Sequence, residues 1–240
     1  MSGHSKWNNI KQKKGKQDAI KGKIFTKIGR EISVAVKEGG PNPDTNAKLR
    51  YVIAKAKANN MPNNNIENAI KKASGEGNQN IFYEMVYEGY GKGGVAVIVN
   101  ALTDNKNRTA SDIRHVFGKF GGNLGEPGSV AYNFSKKGVI VIEKEQYKDK
   151  EEEIMMEVLD AGAEDFKEYD EVYEILTSPN DFDAVNTKVE KLGIQAIEAG
   201  IQSVANLKVS VDDATSENIQ KLIEALEDLD DVQEVFTNME

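Results

Sequence analysis

The spacing of apolar residues changes once along this chain, near residue 80, and that change constrains the fold more than any other feature. Before it the spacing is helical. Across residues 18–38, Ile20, Ile24, Phe25, Ile28, Ile32, Ala35 and Val36 recur at steps of three and four. Gly39-Gly40-Pro41-Asn42-Pro43 then stops the run. A second helix fits residues 47–58, with Leu49, Val52, Ile53 and Ala56 inward and Asp44 or Thr45 as its cap. A third fits 66–74, with Asn64 and Glu67 placed as a capping box and Gly75 at its end. Gly22 and Gly29 share one face of the first helix and leave room for another backbone. Residues 2–17 have no periodicity and read as an extended, mobile arm.

Beyond residue 80 the period becomes that of strands. Residues 82–90 and 95–102 are β-rich and flank Gly91-Lys92-Gly93-Gly94, a hairpin signal. A helix follows, with Ile113, Val116, Phe117 and Phe120 inward, Thr109 and Asp112 as its cap and Gly121-Gly122 at its end. A strand over 129–134 closes a β-β-α-β unit that lacks one helix and one strand of a two-layer sandwich. The next segment is complete: strand 139–143, helix 151–161, strands 165–169 and 172–176, helix 182–192 and strand 199–209, the split βαβ order. Helix 217–229 and strand 232–236 then supply what the earlier unit lacks.

The predicted class is α+β: an N-terminal three-helix domain plus two ferredoxin-like α+β domains, one inserted in the other. The expected divisions are a basic helical domain with its arm at 1–78, a discontinuous α+β domain at 79–135 plus 206–240, and an inserted α+β domain at 136–205.

Charge divides along the same line. Residues 1–78 carry 16 Lys/Arg against 6 Asp/Glu, a net +10, and the remaining 162 carry 15 against 33, a net −18, which sum to −8. A basic module on an acidic body points to a polyanionic partner. Lys6, Lys11, Lys13, Lys14 and Lys16 lie in the arm, beside His4 and the only tryptophan, Trp7. Lys21, Lys23, Lys27 and Arg30 continue the charge onto the first helix, where Lys23, Lys27 and Arg30 share a stripe with Lys37. Lysines at this density suit the neutralisation of phosphates with release of counterions. Trp7 offers either a ring on which a base stacks or an anchor for the arm.

Other chemistries have little to draw on. Gly89-Tyr90-Gly91-Lys92-Gly93-Gly94 matches G-x-G-x-x-G, but it joins two strands rather than a strand and a helix N-terminus, so it reads as a turn. Asp104-Asn105-Lys106-Asn107-Arg108 has lysine where a calcium loop needs a ligand, and reads as the turn into the next helix. With no cysteine and two histidines, His4 and His115, a thiolate or histidine metal site is not expected. Acidic runs at Glu151-Glu152-Glu153, Glu164-Asp165, Glu227-Asp228 and Asp230-Asp231 read as solvated faces rather than the converging carboxylates of a metal-dependent nuclease. The expectation is a non-enzyme with no cofactor and no metal. No apolar run reaches the roughly 18 residues of a membrane span, and the polar start lacks a secretory h-region, so a cytoplasmic protein is expected.

HSKWNNIK, AIKGKIFTKIGREI, ANNMPNNNIENAIKKASGEG and LTDNKNRTASDIRHVFGKFGGNLGEPGSVAY together resemble the YebC/PmpR family, which includes the mitochondrial translational activator of cytochrome c oxidase subunit I. The resemblance runs nearly continuously through residues 3–134 and more weakly to the C-terminus. Lys92 stands where proline is expected, and Tyr132 where tryptophan is. The resemblance implies a helical domain followed by two α+β domains, one inserted in the other, and no catalytic residues. It also implies a regulator of gene expression: bacterial members are described as DNA-binding transcriptional regulators, and the mitochondrial relative, with some bacterial ones, as ribosome-associated.

Few Arg, Asn and Gln sets that read base edges appear on the second and third helices, which favours phosphate-and-shape binding. The expected partner is therefore ribosomal RNA within the ribosome, with ribosomal proteins beside it. Promoter DNA is the alternative, and no membrane partner is expected.

Overall fold

The computed structural model describes residues 17–75 and 81–240, with side chains in the first helix from Gly22 onward. The expected arm lies outside the described residues apart from Gln17. In chain order the elements are α1 (Gln17–Gly39), α2 (Ala47–Ala58), α3 (Asn63–Ser74), β1 (Tyr83–Tyr90), β2 (Ala96–Thr103), α4 (Lys106–Lys119), β3 (Asn123–Leu124), β4 (Phe134–Glu143), α5 (Glu151–Asp160), β5 (Ala163–Glu168), β6 (Val172–Thr177), α6 (Phe182–Lys191), β7 (Ala196–Ala205), α7 (Asp213–Glu227) and β8 (Val232–Thr237). The described chain divides into two compact units: residues up to Pro127 with Asp213–Val235, and Gly128–Asp212 with Phe236–Glu240.

In the first unit, α1, α2 and α3 bury Ile28, Ile32, Val36, Leu49, Val52, Ala56, Met61 and Ile66 against one another. Gly40 adopts φ +85°, a left-handed conformation open to glycine, and ends α1. The turn beyond it is held by Asn46, which is buried. Its side-chain oxygen accepts from the Leu49 amide at 3.0 Å, and its nitrogen donates to the carbonyls of Ala35 at 2.7 Å and Gly40 at 2.8 Å. Asn46, not Asp44 or Thr45, is thus the cap of α2, because only it also satisfies the last carbonyls of α1.

Helix α3 begins at Asn63 after Pro62, with no side-chain cap, so the expected Asn64/Glu67 box is not formed. A proline just outside the first turn needs no amide partner, and its fixed φ leads the chain into the helix. Among the described residues, no atom of another segment lies within 4 Å of where a Cβ on Gly22 or Gly29 would sit, so neither shows the expected close approach of a backbone there.

The sheet of this unit runs β3-β1-β2-β8. β1 and β2 form the expected antiparallel hairpin, from Tyr83↔Thr103 to Tyr90↔Ala96. Helices α4 and α7 supply fully buried Ile113, Phe117, Ile219, Leu222, Ile223 and Leu226. Gly89 lets these layers close, since a Cβ there would sit 2.6 Å from the Asn123 carbonyl oxygen and 2.8 Å from the Phe117 ring. Asn105 caps α4 by accepting from the Arg108 amide at 3.1 Å, four residues before Thr109 of the expected Thr109/Asp112 cap. Thr109 is inside the helix and buried. The third strand is the two-residue β3, pairing Gly89↔Leu124 and Tyr90↔Asn123.

In the second unit the sheet runs β5-β6-β4-β7 with antiparallel neighbours, the split βαβ order. Ile140, Ile142, Tyr173 and Ile175 face Ile154, Val158, Phe182, Val185 and Val189 of α5 and α6. Val139, Val141, Val172 and Leu176 form a separate buried cluster. β4 begins at Phe134, five residues before the expected strand at 139, because polar Ser135-Lys136-Lys137-Gly138 pairs with residues 201–204 of β7. The expected strand over 129–134 is instead a 3₁₀ turn at Ala131–Asn133. Asn133 is buried and holds the loop beyond β7, donating to the Leu207 carbonyl and accepting from the Leu207 amide, both at 2.9 Å. Among the described residues, no helix is long and apolar enough to cross a membrane.

Candidate nucleic-acid interface

Helix α1 carries Lys23, Lys27 and Arg30 at steps of four and three, which places them along one stripe. What that stripe meets is the C-terminal end of α7. The last carbonyls of a helix have no intrahelical partner and carry partial negative charge. Here they are followed by Asp228, Asp230 and Asp231.

The Lys23 ammonium pairs with the Asp228 carboxylate and reaches the Asp228 carbonyl at 3.3 Å. Lys27 donates to the Glu227 carbonyl at 2.6 Å. The Arg30 guanidinium donates to the Asp230 carbonyl at 2.7 Å, the Leu102 carbonyl at 3.2 Å and Asp231 Oδ1 at 2.5 Å.

Asp231 is the centre of this contact. Its other oxygen accepts from Arg108 at 2.7 Å and from the hydroxyls of Thr109 at 2.6 Å and Thr103 at 3.2 Å. Arg108 also holds Asp104 at 2.8 Å. Burial alone would raise the Asp231 pKa, but the hydrogen bonds from Thr109, Arg108 and Arg30 outweigh it and hold the carboxyl below its ordinary value. The hydrogen bonds that Arg108 donates to Asp231 and Asp104 raise its own pKa further.

Exposure grades the contact. The Arg30 and Asp231 side chains are 18% and 8% exposed, whereas Lys23 and Asp228 are 43% and 71% exposed. Removing one partner of a buried, hydrogen-bonded pair costs several kcal/mol. A solvated pair contributes roughly 0–1 kcal/mol. The inner pair fixes the helical layer to the sheet, and the outer pair adds little.

Other lysines of the helical layer are also partnered. Lys55 bonds Glu31 at 2.9 Å, and although burial opposes its charge, Glu31 and Glu234 raise its pKa overall. Lys48 bridges Glu38 and Glu84, each at 2.8 Å. Lys57 and Lys71 are exposed and have no carboxylate partner among the described residues.

Of the residues that the sequence assigns to phosphate contact, His4, Lys6, Trp7, Lys11, Lys13, Lys14 and Lys16 lie outside the described residues. Lys21 lies on α1 with its side chain undescribed. Lys23, Lys27 and Arg30 are brought together, but onto the protein's own acidic helix end. The reading of Asp230-Asp231 as a solvated face is corrected: Asp231 is a buried acceptor for two arginines. Sequence reasoning missed it because Arg30 and Asp231 lie 201 residues apart. The available signal was sign complementarity between the α1 stripe and the run Glu227-Asp228-Leu229-Asp230-Asp231. Among the described residues, no group of three or more His, Asp or Glu converges as a metal site would.

Comparison with known proteins places this geometry in context. A family model described as the TACO1/YebC protein N-terminal domain matches residues 5–76. A second, described as the TACO1/YebC second and third domain, matches residues 82–239. A probable transcriptional regulatory protein of Clostridium novyi is 56% identical over 240 residues, covering 100% of this chain and 97% of the relative. One from Acetivibrio thermocellus, named in the same way, is 57% identical over 239 residues, covering 99% and 98%. The crystal structure of a conserved hypothetical protein from Aquifex aeolicus superposes with a TM-score of 0.84 at 47% identity, covering 93% of this chain and 91% of that one.

Proposed function

The chain belongs to the TACO1/YebC family, and from that premise we propose that it is a non-enzymatic regulator of gene expression that binds nucleic acid through its N-terminal domain. Its target in this reading is structured ribosomal RNA, met on the ribosome. The observation that carries the reading is the charge division, +10 over residues 1–78 against −18 over the rest. A polyanion attracts the first part and repels the second, so contact is made through the N-terminal part of the chain.

Because Lys23, Lys27 and Arg30 hold acceptors within the fold, phosphate contact falls first to Lys6, Lys11, Lys13, Lys14, Lys16 and Lys21, with His4 and Trp7 beside them. A regulator that grips backbone and shape needs no base-reading helix, and folded RNA suits that mode. Ribosomal proteins are the natural neighbours of such a contact.

Promoter DNA is the second reading, and the names of the relatives favour it, since both Clostridium novyi and Acetivibrio thermocellus proteins are called probable transcriptional regulatory proteins. Sedimentation of cell lysate through a sucrose gradient separates the two. Co-migration with ribosomes that survives nuclease trimming of messenger RNA supports the ribosomal reading. Migration confined to the top of the gradient rejects it in favour of DNA.

A further inference from the structure

We propose that Lys23 and Lys27 form an exchangeable phosphate-binding pair whose resting occupant is the acidic end of α7, so that the chain carries an internal competitor for its own polyanion site. The inference rests on the proposed function and adds its regulation.

Lys23 and Lys27 are four residues apart on α1, so their backbone positions stand about 6 Å apart along the helix axis on one stripe. Each is occupied by an oxygen from one short segment: the Asp228 carboxylate on Lys23 and the Glu227 carbonyl on Lys27. A carboxylate and a helix-terminal carbonyl offer the same negative oxygens to an ammonium that a phosphodiester offers. The occupant is tethered and at high effective concentration, which lets a weak pair stay formed in the free protein.

The gradient of exposure says which part of the contact exchanges. Arg30 and Asp231 lie inside, with Arg108 and Thr109 closing the far side of the carboxylate. That clamp persists. Asp228, 71% exposed, and Lys23, 43% exposed, sit at the solvent edge, where an incoming phosphate reaches the lysine without disturbing the inner clamp.

Position along the chain adds a second argument. Lys21 precedes Lys23 by two residues in the sequence, so the pair continues the lysine-rich stretch of the chain. Binding then swaps one ion pair for another. Binding releases fewer counterions than the number of lysines would indicate, and the displaced Asp228 carboxylate remains near the ligand as a repelling charge.

The test measures fluorescence anisotropy of a labelled hairpin RNA, and of a duplex DNA of equal length, with the full chain. Four proteins are compared: the parent, Asp228→Asn, Lys23→Gln and the double variant. Asp228→Asn is expected to tighten binding roughly twofold to fivefold, the range a solvated ion pair spans. Lys23→Gln is expected to weaken it, and the double variant to match Lys23→Gln because the competitor has nothing left to mask. Equal tightening by Asp228→Asn with and without Lys23 would mean general repulsion and would overturn the inference. So would no tightening at all, while binding by the parent leaves the proposed function standing. Failure of the parent to bind either probe rejects the proposed function itself. Thermal melts of the four proteins should differ by no more than a few degrees, because the pair is solvated.

Discussion

Replacing Asp231 with asparagine keeps the shape of the side chain and removes its charge. In the parent, the carboxylate accepts from Arg30 at 2.5 Å, Arg108 at 2.7 Å, Thr109 at 2.6 Å and Thr103 at 3.2 Å. An amide has one acceptor oxygen, and its nitrogen would point a donor at a donor. Arg30, 18% exposed, loses its counter-charge where water compensates poorly, and loss of one partner from such a pair costs about 3–5 kcal/mol when burial is complete. Arg108, 46% exposed and still bound to Asp104, contributes a screened share.

The expected net loss is therefore about 2–4 kcal/mol, a large fraction of the roughly 5–15 kcal/mol of a folded domain. Urea unfolding followed by far-UV circular dichroism measures it as a lowered midpoint. A double-mutant cycle then apportions it: coupling of Asp231 to Arg30 should exceed about 1.5 kcal/mol, and coupling to Arg108 should be below about 1 kcal/mol. A loss under about 0.5 kcal/mol, or the reverse order of couplings, would refute the role assigned to this carboxylate.

Two further outcomes follow from the same contacts. Asp231 has a folded-state pKa below its unfolded value of about 3.9, so its stabilisation is complete above that pH and is lost as pH falls through the lower, folded value. The melting-temperature gap between the parent and Asp231→Asn should thus be constant at neutral pH and close below about pH 4. Asn46→Ala removes the cap of α2 and strips a donor from the Ala35 and Gly40 carbonyls. It should cost about 1–3 kcal/mol by urea unfolding, and Asn46→Asp should recover the capping share alone.

The fold class was legible because periodicity is a property of neighbouring residues. Ile28, Ile32 and Val36 announce α1 at helical steps, and Gly91 to Gly94 between two β-rich runs announce the β1–β2 hairpin. What stayed hidden depends on partners distant in the chain. Ser135 to Gly138 fall between the strands expected at 129–134 and 139–143, and are strand only because β7 pairs with them. β3 is two residues long, too short for any pattern. Asn46 outcompetes Asp44 and Thr45 as a cap because the end of α1 lies against it. The basic stripe on α1 was legible as a stripe, but its resting partner was not, since Asp228 approaches it only through the placement of α7.

The central claim, that the lysine-rich N-terminus grips phosphates, is tested most directly by the salt dependence of binding. The full chain and a Lys11/Lys13/Lys14/Lys16→Ala variant would be titrated onto a labelled ribosomal RNA hairpin across a series of salt concentrations. If all four lysines contact phosphates, the slope of log K against log salt should become shallower by about 3, with affinity reduced most at low salt. An unchanged slope and affinity would contradict the account and place the polyanion site elsewhere on the molecule.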